Sequence, residues 1–517
     1  MDLTKIIQTS FSNVQLVWIG IAFLFGLLSV FLFLKKKNAI SVIFLLISGF
    51  ILRFVVAGLD PFLQTWDEEF HALVAKNMMH DFLKPVLIQH PLLEFDYRDW
   101  TANHLWIHKQ PWFLWQISLF FKLFGVSELV LRMPTVIMFS LLIPVIYRIG
   151  RLITTERIAW YGAFIYAYSF YFVSYVSGMV FTDHNDSAFI FYIALSILSW
   201  LEYRRCGKLK WIIAIGIFTG IAVLNKWLVG LLVYSGWFIS IVINQKRDQW
   251  LNELKNVGIA LILTLFIALP WQIYTYLAYP LENSIEFAFN NSRHLLEALD
   301  GHGETRWYHI TLLSQQYGGV LVYFIILPGL YYLFKSVQNK LVKTALITLL
   351  VIPYTFFTLA ATKMPMYCVV VCPILFLALG AILDKVIETV KQYIPARIST
   401  SIIFLFLCFL AYQNLYINEI ENWHSEKYAE WKTKTTLATR FKEVIKESGH
   451  QYDVFFNCRG YNAVMFMFYG NNTAYGNYPT EQQYLKLKER NIRMATFEDP
   501  YIPDYLKNDH EIKKLPL

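Results

Sequence analysis

Apolar runs long enough to cross a bilayer recur along most of this chain, and that repetition constrains its fold more than any other feature. A spanning helix needs about 17 to 25 predominantly apolar residues. Twelve such runs fall near 14–34, 39–58, 129–149, 157–177, 184–202, 209–224, 227–243, 256–276, 316–335, 341–360, 365–383 and 400–416. The stretch 211–242 is too long for one helix, and Asn225-Lys226 marks its turn. Residues 111–124 are apolar but short, which suits a helix lying along the membrane interface. Composition agrees: 56% of the 517 residues are hydrophobic and 16% are charged, where a soluble domain carries about a quarter charged residues. The same apolar load excludes a disordered chain. A net charge of +8 is too mild to point to nucleic acid. The expected class is an α-helical integral membrane protein of about twelve transmembrane helices.

The loops between the runs sort by charge. One set carries Lys35, Lys36 and Lys37, then Arg148, Arg151 and Arg157, Arg204 and Arg205, Lys246 and Arg247, Lys335 and Lys340, and Lys385 and Lys391. The alternate set is acidic: Asp60, Asp67, Glu68, Glu69, Asp81, Glu94, Asp96 and Asp99, then Asp183 and Asp186, then Glu282, Glu286, Glu297, Asp300 and Glu304. The positive-inside rule places the basic set in the cytoplasm and the acidic set outside. The lysine cluster follows the first apolar run instead of preceding it, so that run reads as a retained span and not a cleaved signal peptide. Five scattered cysteines give no disulfide framework.

The organisation that follows is a membrane domain over residues 1–415 with outer loops 59–128 and 277–315, and an extracytoplasmic soluble α/β domain over 416–517. In the tail, residues 434–448 and 481–490 read as helices, and 452–456 and 492–497 as strands.

Candidate chemistry gathers at the outer ends of the spans, whose middles are nearly free of polar groups. A channel or transporter would be expected to carry costly polar residues at mid-span. Charged residues at the outer ends instead suit an enzyme acting at the membrane surface on a lipid-borne substrate. Asp67 opens an amphipathic helix on whose face His71, Val74 and Met78 also fall. It either complements the helix dipole or acts as a general base; Glu68, beside it, caps or tunes. Lys109 precedes the interfacial helix, where a lysine can snorkel to headgroups or bind the phosphate of a lipid carrier. Asp183 lies at the outer end of the fifth run. There Thr182 or Asp183 can cap a helix, or Asp183 can face Asp67 across a cavity that a metal ion could bridge. Arg293 and Arg306 stand in an otherwise acidic loop, and Lys363 at another outer span end. Such cations could converge into a phosphate clamp.

In this order the residues resemble the GT-C superfamily of polyprenyl-phosphate-dependent glycosyltransferases, in particular the bacterial lipid A aminoarabinose transferases and the protein O-mannosyltransferases. The resemblance rests on WDEEFHALVAKNM, HKQPWFLWQISLFFKLFGVSELVLRMP, FTDHNDSAFIFYIAL, GIAVLNKWLVGLL, EALDGHGETRWYH and ATKMPMYCVVVCPILFLALGA, and covers about three-quarters of the chain. It implies that Asp67 is the catalytic acidic residue of the first outer loop, Lys109 the phosphate-contacting lysine, and Asp183 the second acidic position. At His108 the chain departs from the lipid A enzymes, which carry a metal-binding glutamate before the lysine. Histidine also ligates divalent metals but brings no negative charge, and His302 is the candidate second ligand from further along.

The function so implied is an inverting transfer of a sugar from a polyprenyl-phosphate-linked donor. It would run at the outer, periplasmic face of a bacterial inner membrane, among membrane lipids, with a lipid, protein or glycan acceptor. Asp67 and Asp183 would be catalytic, Lys109, Arg293 and Lys363 would hold the donor phosphate, and a divalent metal ion would be the cofactor. The alternatives are an oligosaccharide transferase on the same fold and a lipid or glycan flippase.

Overall fold

The computed structural model describes residues 10–180 and 183–516; Thr182 lies outside them. Two compact units emerge. One comprises Met1–Ala57, Thr135–Phe181 and Asn185–Glu421, the other Gly58–Pro134, Thr182–His184 and Asn422–Leu517.

The first unit is helical. Among the described residues, eight helical elements are long and apolar enough to cross a membrane: Asn13–Leu34, Asn38–Ala57, Glu128–Ile153, Leu209–Asn244, Arg247–Ala278, Lys340–Leu359, Tyr367–Lys391 and Arg397–Trp423. A ninth is formed if the pair Tyr308–Tyr317 and Val322–Ser336, bent by 88°, counts as one. The expected twelve is therefore corrected to eight or nine, and the reasons are local. The run 157–177 stops being a helix at Ala167 and resumes only as Phe170–Ser174, leaving no piece of spanning length. Residues 184–202 do lie in a long helix, His184–Cys206, but its Asp186, Glu202, Arg204 and Arg205 make it too polar. The stretch 209–244 is one element broken near the expected turn. Its first helix ends at Lys226 and Trp227 adopts φ 53°, after which the chain folds back so closely that a Cβ on Gly230 would stand 2.5 Å from the Val223 nitrogen. The 88° bend follows from Gly318 and Gly319, both at positive φ.

Small residues let these helices approach, as is usual where lipid supplies no hydrophobic drive between them. A Cβ at Gly380 would lie 2.6 Å from the Gly162 nitrogen, so Cys372–Lys391 and Glu156–Ala167 pack nearly backbone to backbone. Ser29 and Ser41 donate to each other's carbonyls at 2.8 Å, and the Trp160 indole donates to Ser41 Oγ at 2.7 Å. These bonds join the first two helices of the chain to a third.

The second unit joins the first large loop to the tail. The tail forms a four-stranded parallel sheet of β1 (Val454–Phe456), β2 (Thr473–Ala474), β3 (Met494–Glu498) and β4 (Lys513–Pro516), in the order β2-β1-β3-β4. Helices Ala429–Ser448 and Glu481–Glu489 and strands β1 and β3 match the expected tail elements. The apolar helix Asn462–Tyr469, β2 and β4 were not expected. Val454, Phe456, Leu487, Met494, Leu506 and Ile512 form the core of this sheet, and Leu92 and Leu93 of the loop pack against it.

Polar contacts tighten the joint between loop and tail. Trp431 donates to Asp60 at 2.9 Å, and Lys442 pairs with Glu128 at 2.6 Å. Lys76, on the loop helix Asp67–Asn77, donates to the carbonyls of Met467 (3.0 Å), Phe468 (2.8 Å) and Gly470, at the C-terminal end of Asn462–Tyr469. A cation there satisfies carbonyls that the helix leaves without partners. Replacing it by the uncharged Lys76→Met is expected to weaken this joint by about 1.5–3 kcal/mol, read as faster amide hydrogen exchange in residues 462–475. Unchanged exchange would show that the apolar packing alone holds the tail.

Candidate active site

Within the second unit, three loop segments place their polar side chains together. Trp66 adopts φ 76°, and the next residue, Asp67, opens the loop helix Asp67–Asn77. Four residues on, His71 lies on the same helical face. Asp183 immediately precedes the helix His184–Cys206, and Lys109 stands shortly before the helix Trp112–Phe124.

The Lys109 ammonium lies between the two carboxylates, 3.4 Å from Asp67 Oδ1 and 3.3 Å from Asp183 Oδ2. His71 Nε2 is 3.9 Å from Asp67 Oδ1 and 3.7 Å from Asp183 Oδ1. Asp183 and His71 are buried, while Asp67 keeps some contact with solvent. Burial raises the Asp67 pKa above the usual carboxylate range; Asp183 adds to the rise and Lys109 only partly opposes it. Burial also drives His71 well below the ordinary imidazole value, so its ring is neutral at physiological pH.

Neither ring nitrogen of this buried histidine has a hydrogen-bond partner, which is costly in a protein interior. Asp67, His71 and Asp183 each offer a ligand atom, and these atoms lie within 4.8 Å of one another. Bonds of about 2.0–2.2 Å to one ion would need only small closure of that set. The residues thus fit a divalent metal: Asp67 and Asp183 are the carboxylates expected to face each other across an ion, while His71 stands where His108 and His302 were expected. His108 is buried and stacked on Trp100, ring centroids 4.2 Å apart. His302 belongs to the first unit, where its carbonyl accepts from the Lys363 amide at 3.0 Å.

Behind Asp67 lies a second polar layer. Arg132 Nε donates to Glu68 Oε1 at 2.8 Å and its Nη2 to Glu68 Oε2 at 3.0 Å. The guanidinium also donates to the carbonyls of Asp60 (2.9 Å) and Phe62 (2.8 Å). The Gln64 amide donates to Glu68 Oε2 at 2.6 Å, and His184 Nε2 stands 3.4 Å from Oε1. Burial alone would raise the Glu68 pKa, but the Arg132 charge and these hydrogen bonds bring it down to about 2. Glu68 is therefore held in its charged form and ties the start of the loop helix to Arg132. Glu69 is buried with its pKa driven well above the carboxylate range by desolvation.

The other expected cations lie in the first unit. Arg293 is half-exposed and bonded to Glu297 at 3.0 Å, and Arg306 is exposed. Lys363 is buried and donates to the Ala360 carbonyl at 2.5 Å. Its segment is tied to the loop that holds His302, since Leu299 N donates to Thr362 Oγ1 at 3.1 Å. A partly buried pair lies in the same unit: Lys226 bonds the buried Asp186 and sits 4.6 Å above the Tyr367 ring.

Residues 108–274 match the family described as dolichyl-phosphate-mannose-protein mannosyltransferase. Over 255 residues the chain is 26% identical to the undecaprenyl phosphate-alpha-4-amino-4-deoxy-L-arabinose arabinosyl transferase of Yersinia pestis, covering 47% of this chain and 44% of that protein. It thus spans less than half the length of the curated relatives it matches. ArnT from Cupriavidus metallidurans, solved bound to undecaprenyl phosphate, superposes with a TM-score of 0.63 over 87% of this chain and 88% of its own, at 15% identity. The oligosaccharyltransferase AglB from Archaeoglobus fulgidus gives 0.56 over 86% and 65%, at 13%.

Part of the chain is thus similar to lipid-phosphate-dependent glycosyltransferases. Its fold is that of ArnT, a multi-pass helical membrane region followed by a small parallel α/β region. The matched family region includes Lys109 and Asp183 but begins after Asp67. The placement of Asp67 beside the other two therefore rests on geometry, which gathers two carboxylates, one lysine and a neutral histidine in one loop-and-tail unit.

Proposed function

We propose that this protein transfers a sugar from a polyprenyl-phosphate-linked donor to an acceptor at the outer face of the cytoplasmic membrane, with inversion at the anomeric carbon. The observation that carries the reading is the Lys109 ammonium held between Asp67 and Asp183. Relatives named for undecaprenyl-phosphate and dolichyl-phosphate sugars supply the donor class. The lysines at 35–37 and the acidic first loop, at opposite ends of the apolar helix Asn38–Ala57, support the outer face. So does the compact unit formed by the acidic first loop with the tail.

In the reaction, an acceptor oxygen attacks the anomeric carbon while the bond from that carbon to the phosphate oxygen breaks. The acceptor proton passes to the Asp67 carboxylate, whose proton affinity is raised by burial. Lys109 turns its charge toward the phosphate that departs on the lipid, and Asp183 holds the ammonium until the donor enters. Asp67, His71 and Asp183 would hold a divalent metal ion, which when bound supplies Lewis-acid stabilisation to the leaving phosphate.

Titrating the purified chain with polyprenyl phosphate tests the phosphate role. Lys109→Ala is expected to weaken binding about tenfold or more, the loss of one charge-assisted contact. Equal affinity in wild type and variant would remove Lys109 from phosphate recognition.

A further inference from the structure

Trp66 sits where a bulky side chain is least at home. Its φ of 76° and ψ of −127° fall in a region that glycine enters freely and a large L-residue only with strain. The fold does not recover that cost by burial, because Trp66 is 39% exposed. Backbone geometry thus favours a glycine at this position, and the packing of the indole leaves more than a third of it open to solvent. Strain of this kind concentrates where a side chain has a task.

The task is indicated by what lies beside it. Tyr461, 43% exposed, packs on Trp66 with ring centroids 4.8 Å apart and planes tilted by 43°. Trp100 flanks the pair at 5.9 Å from Trp66. Tyr461 is delivered by the tail, from a loop after β1 in which Asn457, Arg459 and Gly460 all have positive φ. These residues turn the chain outward before it enters the helix Asn462–Tyr469. Arg459 is exposed on that loop, and Asn462 donates to its carbonyl at 2.9 Å. The residue after Trp66 is Asp67. An exposed aromatic surface with a polar rim therefore adjoins the carboxylate assigned to the acceptor, and the tail domain builds half of it.

We infer that Trp66 and Tyr461 form the acceptor subsite, binding a sugar ring of the acceptor by stacking, with polar groups of the Arg459 loop reaching its hydroxyls. The inference rests on the transferase reading of Asp67. Aromatic rings offer a negative face to the weakly positive C–H groups of a pyranose, and their rigidity means little entropy is lost on binding. Two tilted rings and nearby donors match a flat, hydroxyl-edged ligand better than an acyl chain, which would need a dry groove. The competing explanation is a membrane-interface anchor, a common role for exposed Trp and Tyr. An anchor would act on lipid-borne donor and acceptor alike, whereas the subsite acts on the acceptor alone.

Two variants separate these readings. Trp66→Gly removes the ring and also the backbone strain; Tyr461→Ala removes the partner ring and leaves the backbone conformation accessible. Saturation-transfer NMR on the full chain in detergent would use cellobiose, chitobiose and maltose as probes, with a serine- and threonine-containing decapeptide as contrast. The expected result is saturation of at least one disaccharide, reduced fivefold or more in each variant and retained in Trp66→Phe and Tyr461→Phe. The thermal midpoint of Trp66→Gly should be unchanged or raised. Polyprenyl phosphate binding should be unchanged in both variants. The inference is overturned if no disaccharide binds, if binding survives both variants, if the decapeptide is the ligand that depends on these rings, or if polyprenyl phosphate binding falls in parallel. Failure of the transferase reading is distinguishable, because unaltered protein would then consume no donor at all.

Discussion

Asp67→Asn is expected to lower sugar transfer by about 10²–10⁴-fold, the usual contribution of a positioned general base, while leaving the protein folded. The amide preserves the shape of the carboxylate and sacrifices only its charge at the start of the loop helix, about 0.3–1 kcal/mol. Most of the helix's fixation comes from elsewhere, through Glu68 and Arg132. The loss should fall on kcat with the donor KM nearly unchanged, because removal of a base acts on the transition state more than on donor binding. Lys109→Ala should show the opposite bias toward donor binding. Steady-state kinetics of both variants on one donor checks the division of labour. A loss of tenfold or less in Asp67→Asn would mean that the acceptor arrives already ionised, as a phosphate would, and that Asp67 only orients it or ligates metal.

The second large effect is on stability. Arg132→Met leaves Glu68 buried beside His184 without its principal partner, and breaking one side of a buried ion pair costs about 3–5 kcal/mol. The double variant Arg132→Met with Glu68→Gln should recover most of that loss, since an apolar or neutral replacement of both partners is nearly free. The same pair sets an acid limit. Glu68 is held at about 2 against an ordinary 4.5, so its stabilisation is complete above pH 4.5 and is lost as pH falls toward 2. That depression corresponds to about 3 kcal/mol. Denaturant midpoints between pH 6 and pH 3 should fall in the wild type and much less in the double variant. If Arg132→Met alone melts like the wild type, the pair is not what fixes the loop helix.

How far the sequence carried this picture depends on the kind of contact. Apolar runs marked the membrane region because burial in lipid needs length and composition, both of which are local. Breaks within those runs were less visible. Nothing in the hydropathy of Tyr168 and Ser169, or of Gly318 and Gly319, distinguishes a straight helix from one that stops and turns, so the run 157–177 read as a span and the 88° bend was not expected. Asp67, Lys109 and Asp183 stood out because they lie at the outer ends of apolar runs, within sequence segments that resemble a known family. The structure places the Lys109 ammonium within 3.4 Å of both carboxylates.

His71 was on the right helical face, yet one histidine at i+4 carries no sign that its ring will be fully buried without a hydrogen-bond partner. Arg132 looked like a residue at the edge of a span. Its pairing with Glu68, 64 positions away, exists only once the loop folds. The tail helix Asn462–Tyr469 is apolar on nearly every face because it is buried on nearly every face, so it shows no period from which to read it.

The most direct test of the account is consumption of the donor. Purified full-length protein would be given a panel of polyprenyl-phosphate-linked sugars together with membrane extract from its host, and free polyprenyl phosphate would be measured over time. The account predicts release from one donor, dependent on the extract and lost in Asp67→Asn. No release from any donor, with the protein folded and able to bind polyprenyl phosphate, would contradict it and leave a lipid-binding or lipid-flipping role in its place.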